Sequence, residues 1–170
     1  KLHGREVEHN SNGKVINESS YVHGILEGKK VTEYYENGEK KNETNYLYGR
    51  LDGKSVGYYE SGNVKWEKNY VDGNENGEWV GYDENGNVEW KENYAAGNEI
   101  GKWVGYDESG KLIWEQNYED GKRTGKWLRY DESGTMTWEA NYVDGKLHGR
   151  EVEHNSNGKV INESSYVHGI

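Results

Sequence analysis

The chain has 170 residues, with 24 Gly, 15 Tyr, 7 Trp and no Cys, Pro or Phe, and its 31 acidic and 21 basic residues give a net charge of −10. Without Cys there is no disulfide and no thiolate metal site. The negative charge disfavours nucleic acid and anionic membranes as partners, and no apolar run of about 20 residues is present to insert in a membrane. Only 31% of the chain is hydrophobic and 31% is charged, a balance that borders on that of disordered chains. The regular recurrence of Trp and Tyr argues instead for a packed fold.

Glycine sets the period. Gly4, Gly28, Gly53, Gly77, Gly101, Gly125 and Gly149 are separated by 24, 25, 24, 24, 24 and 24 residues, the one extra residue lying in KKVTEYYENG, 29–38. Such a period marks a repeat architecture. Seven repeats, near 1–25, 26–49, 50–73, 74–97, 98–121, 122–145 and 146–170, make residues 1–170 one continuous array. The clearest is GKWVGYDESGKLIWEQNYEDGKRT, 101–124.

Within a repeat the elements follow in a fixed order. A first strand such as WVGYD is rich in β-formers. A tip of the type ESG or ENG follows, and Gly62, Gly86, Gly110 and Gly134 supply the positive φ that a tight turn needs. The second strand, KLIWEQNY, alternates with period two, which puts Leu112, Trp114, Gln116 and Tyr118 on one face and Ile113, Glu115 and Asn117 on the other. The segment EDGKRTG then returns the chain to the next repeat. Glycines about every ten residues interrupt any helix.

Across repeats the aromatic positions form columns. Tyr46, Tyr70, Tyr94, Tyr118 and Tyr142 form one ladder, Trp66, Trp90, Trp114 and Trp138 a second, and Trp79, Trp103 and Trp127 a third. Val56, Val80, Val104 and Leu128 form a fourth. A lone hairpin is marginal in water, but stacked hairpins bury such ladders against one another. The fold class expected is all-β: an elongated single-layer ribbon or solenoid of stacked antiparallel β-hairpins with a 24-residue repeat, rising roughly 10 Å per repeat.

GKWVGYDESGKLIWEQNYEDGK resembles the bacterial variant of the MORN repeat in its order of Gly, aromatic, Tyr, Ser-Gly, Asn-Tyr and Gly-Lys. The resemblance spans the chain and is strongest over 53–145. It weakens over 1–49, where Asn17 and Asn42 stand in the Trp column and Glu6 replaces the Trp of the first strand. It implies a twisted ribbon of hairpins serving as a scaffold, a membrane-apposed platform or an interaction surface, and for some bacterial relatives an antitoxin component.

Residues 146–170 repeat residues 1–25 without a single difference, whereas neighbouring repeats differ at about half their positions. Two explanations fit. In one, a 145-residue super-unit is copied in tandem or stacked end to end, and the chain is a window onto it. In the other, a copied hairpin was added by design. The first is the reading adopted: a structural protein that forms an extended filament or fibre and has itself as partner, placed outside the cell or at its surface. The alternatives are a module that binds cell-wall carbohydrate or a protein along the aromatic ladders, and a cytoplasmic scaffold or antitoxin-like inhibitor.

The residues suggest no enzyme. No carboxylate pair breaks the repeat pattern as an acid and base would, and no Gly-rich loop opens a helix. His3, His9 and His23, with their copies His148, His154 and His168, lack metal-ligand spacing. No cofactor is expected. Asp83-Glu84, Asp107-Glu108 and Asp131-Glu132 at the hairpin tips read as a solvated acidic rim, with Ca²⁺ between adjacent tips as the functional alternative. Asn45, Asn69, Asn93, Asn117 and Asn141 are expected to hydrogen-bond to one another along a ladder.

Overall fold

The computed structural model describes residues 3–170; Lys1 and Leu2, the first two positions of the copied segment, lie outside the described residues. The fold is all-β, with eighteen strands and no helix among the described residues, and every pairing is antiparallel. The chain divides into two units, one ending at Gly86 and the other starting at Asn87.

The first unit holds β1 (Gly4–His9), β2 (Val15–Val22), β3 (Ile25–Tyr34), β4 (Lys40–Leu47), β5 (Arg50–Leu51), β6 (Gly53–Tyr58), β7 (Val64–Val71), β8 (Asn74–Glu75) and β9 (Gly77–Tyr82). Pairing follows chain order, with the two-residue strands β5 and β8 as short extensions preceding β6 and β9: β4 pairs with both β5 and β6, and β7 with both β8 and β9. The residue added to the second repeat leaves no break there: residues 25–34 run as a single ten-residue strand, and Lys29, not Gly28, pairs with Tyr46.

The second unit repeats the plan with β10 (Val88–Ala95), β11 (Asn98–Glu99), β12 (Gly101–Tyr106), β13 (Leu112–Glu119), β14 (Lys122–Arg123), β15 (Gly125–Tyr130), β16 (Met136–Val143), β17 (Lys146–His154) and β18 (Val160–Tyr166). The copied segment supplies β17 and β18, and β17 docks on β16 with Trp138 opposite Glu153 and Glu139 opposite Val152.

Two turns of different chemistry produce this path. At the tip of β12–β13 the Asp107 N–H donates to Lys111 O at 2.9 Å and the Gly110 N–H to Asp107 O at 2.9 Å, with Gly110 at φ +80°. At the other end the turn is tighter than the seven-residue EDGKRTG segment implies. Asp120 and Gly121 both have positive φ, +47° and +76°, and Glu119 pairs directly with Lys122. That is a two-residue hairpin of type I′, whose twist matches that of the strands it joins. The last residues of EDGKRTG then form a bulge, at Thr124 and Gly125, where the Thr124 N–H donates to Asn117 O at 2.9 Å.

The register also moves one residue across the sheet. Gly105 pairs with Trp114 but Tyr106 pairs with Leu112, so Ile113 is an extra residue on the second strand. A bulge of this kind changes the phase of alternation. Leu112 therefore lies on the face opposite Trp114, not beside it as unbroken alternation predicts.

The core is thin. In the second unit Trp127 (6% exposed), Ala140 and Tyr142 are buried, with Tyr118, Trp138 and Leu147 packed against them. Val152, on the copied segment, is 1% exposed. In the first unit Trp79 and Val80 are buried. Burying one indole removes about 150–250 Å² from water, roughly 4–6 kcal/mol before the cost of ordering is subtracted.

Candidate functional site

Pairing register assigns each column to a face. Trp103 lies opposite Gln116, and Trp114 opposite Gly105, so both Trp columns and the Tyr column share one face of the sheet. Lys102, Val104, Glu115 and Asn117 share the other.

On the aromatic face the Tyr column and one Trp column interleave into a single zigzag. In the first unit Tyr70 meets Trp79 with centroids 5.3 Å apart. In the second, Tyr94–Trp103, Trp103–Tyr118, Tyr118–Trp127 and Trp127–Tyr142 follow at 5.2, 4.7, 5.3 and 5.1 Å, all tilted or edge-on. Tilted contacts at this range are the favoured aromatic geometry. Each indole N–H is also satisfied: Nε1 of Trp79, Trp103 and Trp127 donates to the carbonyl of Asn69, Asn93 and Asn117 at 3.0, 3.2 and 3.1 Å. Tyr46 occupies the same column, but Ser55 stands at the position where the next three repeats have Trp79, Trp103 and Trp127.

The column Trp66, Trp90, Trp114 and Trp138 is a different structure. These four are half-buried. The indoles of Trp66 and Trp114 lie across Gly57 and Gly105 on the paired strands, so closely that a Cβ on either glycine would overlap the ring. Opposite Trp138 the glycine is replaced by Arg129, whose guanidinium stacks on the indole at 5.0 Å. Where the column holds Asn, the partner is Glu: Asn42 Nδ2 donates to Glu33 Oε2 at 2.8 Å, and Asn17 donates to Glu8 in the same way. The pairing of Gly with Trp and of Glu with Asn was not found by sequence reasoning. Its only signal is that both columns change together, and the tip bulge hides the correspondence.

The opposite face is polar. Lys30–Glu43, Lys54–Glu67 and Lys102–Glu115 form ion pairs at 2.9, 2.6 and 2.9 Å. The Tyr58 hydroxyl donates to Glu43 at 2.7 Å. Burial works against ionisation of Glu43, but hydrogen bonds from Lys40, Lys30 and Tyr58 outweigh it and bring its pKa to about 2. Burial, then the same hydrogen bond, pushes Tyr58 up to about 12. The Val column lies on this face, apart from the aromatic ladders.

The Asn column does not bond to itself. Each Nδ2 donates to a backbone carbonyl of the following repeat: Asn45 to Lys54, Asn69 to Glu78, Asn93 to Lys102, Asn117 to Lys126 and Asn141 to His148, at 2.5–3.3 Å. The reason is the bulge ahead of each long first strand, which takes the backbone out of ladder register and leaves a carbonyl for a side chain to meet.

At the tips the acidic side chains serve the turn. Asp107 Oδ1 accepts from Ser109 N, Ser109 Oγ and Lys111 N at 2.8, 2.6 and 3.0 Å, and Asp131 accepts from Ser133 and Thr135 likewise. The hydrogen bond from the Ser109 hydroxyl is the main influence holding the Asp107 carboxyl below its ordinary range. No group of three or more His, Cys, Asp or Glu side chains able to hold a metal ion occurs among the described residues. The histidines meet as pairs: His3 and His23 stack at 5.5 Å, and His148 and His168 lie tilted at 5.1 Å.

The family model described as MORN repeat variant matches seven consecutive segments, 2–23, 28–48, 51–72, 75–96, 99–120, 123–144 and 147–168. The chain belongs to the MORN repeat variant family. The seven matched segments end at His23, Tyr48, Asp72, Ala96, Asp120, Asp144 and His168, each the first residue of a positive-φ turn. The MORN unit is thus one hairpin cut between the two residues of its return turn. Being a repeat and binding family, it is of a non-catalytic type. No curated protein matches the chain.

Proposed function

We propose that this MORN protein is a structural repeat protein whose 145-residue super-unit continues into an extended filament or fibre, in tandem within one polypeptide or by end-to-end stacking of copies. One observation carries the reading: residues 146–170 are identical to residues 1–25. The pairing of β17 with β16 supports it. Val152 is buried there and Trp138 donates to Glu151 Oε1 at 3.2 Å, so the repeated text fits behind residue 145 through side chains that residues 3–25 also carry. In such an assembly stability is a sum over neighbouring repeats, and length is gained without a new kind of contact.

The test is the intact mass of native material together with negative-stain electron microscopy. Masses at multiples of the super-unit, or filaments with an axial repeat of six hairpins, roughly 60 Å, are expected. A homogeneous monomer near 19.6 kDa with no filaments at any concentration would overturn the reading.

A further inference from the structure

In the second unit the ring contacts of the zigzag run through Tyr94, Trp103, Tyr118, Trp127 and Tyr142 and not through the half-buried tryptophans, of which Trp138 packs against the buried Trp127, Ala140 and Tyr142. In the second unit Trp90, Trp114 and Trp138 recur once per repeat on the aromatic face. Trp114 rests one ring face on Gly105. Beside it a shallow groove is lined by Trp114, Gln116, Arg129 and Thr137, among others. Gln116 Oε1 accepts from the Tyr118 hydroxyl at 3.3 Å, which directs the Gln116 amide N–H groups to other acceptors. Flat aromatic rings flanked by amide, guanidinium and hydroxyl groups match the chemistry of a pyranose, which has apolar C–H faces and a polar rim.

From these features we infer that the second unit binds an extended, neutral β-1,4-linked glycan along Trp90, Trp114 and Trp138. The spacing selects the linkage. Two strands per repeat set the platforms roughly 10 Å apart, close to the two-residue repeat of an extended β-1,4 chain. In such a chain alternate rings present the same face, so each platform meets an equivalent ring. An α-1,4 chain coils and cannot keep this register. Charge selects neutrality: at −10 the protein repels polyanions. This inference does not rest on filament formation, since a single copy carries all three platforms.

The experiment is calorimetric titration of the full chain with cellohexaose, with chitohexaose and with maltohexaose as the α-1,4 control. Six rings span three platforms, so one of the β-1,4 hexaoses is expected to bind at least about tenfold more tightly than its disaccharide. Which of the two does so identifies the sugar. Trp114→Ala is expected to lower affinity about tenfold or more, and Trp114→Phe, which keeps a ring on Gly105, several-fold with thermal stability retained. Absence of binding by both β-1,4 hexaoses at millimolar concentration would overturn the proposal. So would equal binding of maltohexaose, or affinity unchanged in a folded Trp114→Phe variant.

Discussion

The indole of Trp114 lies across Gly105, and a methyl group on that glycine would overlap Nε1, Cε2 and Cζ2 of the ring. The φ of Gly105 is not positive, so the glycine is required by the close approach and not by its backbone angle. Gly105→Ala is therefore expected to cost about 1–3 kcal/mol through overpacking. In a Trp114→Ala background the same change should cost little, because the ring is gone. Urea unfolding of the two single variants and the double variant measures the coupling. An equal cost in both backgrounds would show that the clash is not with the indole.

Burial ranks the two kinds of tryptophan. Trp127 is 6% exposed, packs on Tyr118 and Tyr142, and donates to Asn117 O. Trp127→Ala is expected to cost about 3–5 kcal/mol, clearly more than Trp114→Ala. Hydrogen exchange should show the loss of protection confined to the hairpins next to the substitution, since repeats contact only neighbours. Equal costs for the two variants would contradict the division into zigzag and platform.

Ala96 is the first residue of a return turn and sits at φ +48°, where three other repeats place Asp: Asp72, Asp120 and Asp144. An alanine there is strained by its Cβ, whereas Asn before Gly suits a type I′ turn. Ala96→Asn is expected to stabilise by about 1 kcal/mol, seen as a rise in Tm of about 2–4 °C. A fall in Tm would mean that the turn has another geometry in solution.

Ser55 is 3% exposed, and its hydroxyl meets no hydrogen-bond partner among the described residues. Ser55→Ala removes a buried polar group without opening space. A gain of about 1 kcal/mol in unfolding free energy is expected by chemical denaturation; a loss of that size would reveal a partner for the hydroxyl.

Glu43 and Tyr58 make stability depend on pH at both extremes. The Glu43 pKa falls from an ordinary 4.5 to about 2 on folding, so its contribution is full above 4.5 and is lost as pH drops from there towards 2. The Tyr58 pKa rises from 10.0 to about 12, so its contribution is full below 10 and disappears as pH climbs towards 12. Glu43→Gln should flatten the acid limb of a Tm–pH curve and Tyr58→Phe the alkaline limb. An unchanged acid limb in Glu43→Gln would place the sensitivity on other carboxylates.

The hairpin repeat could be read from the sequence because its determinants are local. Gly110 and its equivalents turn the chain, Asp120-Gly121 returns it, and alternation along KLIWEQNY gives a strand. Residues within one hairpin decide all of this, and sevenfold repetition averages away exceptions such as Ser55 or Ala96. Register was beyond the sequence. Alternation assigns faces only along an unbroken strand, and the extra residue Ile113 reverses the phase, sending Leu112 away from Trp114. Which side chains meet across strands depends on that register. Tertiary structure therefore decided that Tyr118 and Trp127 interlock, that Asn117 serves the backbone of the next repeat, and that Trp114 rests on Gly105 with its other neighbours in an open groove.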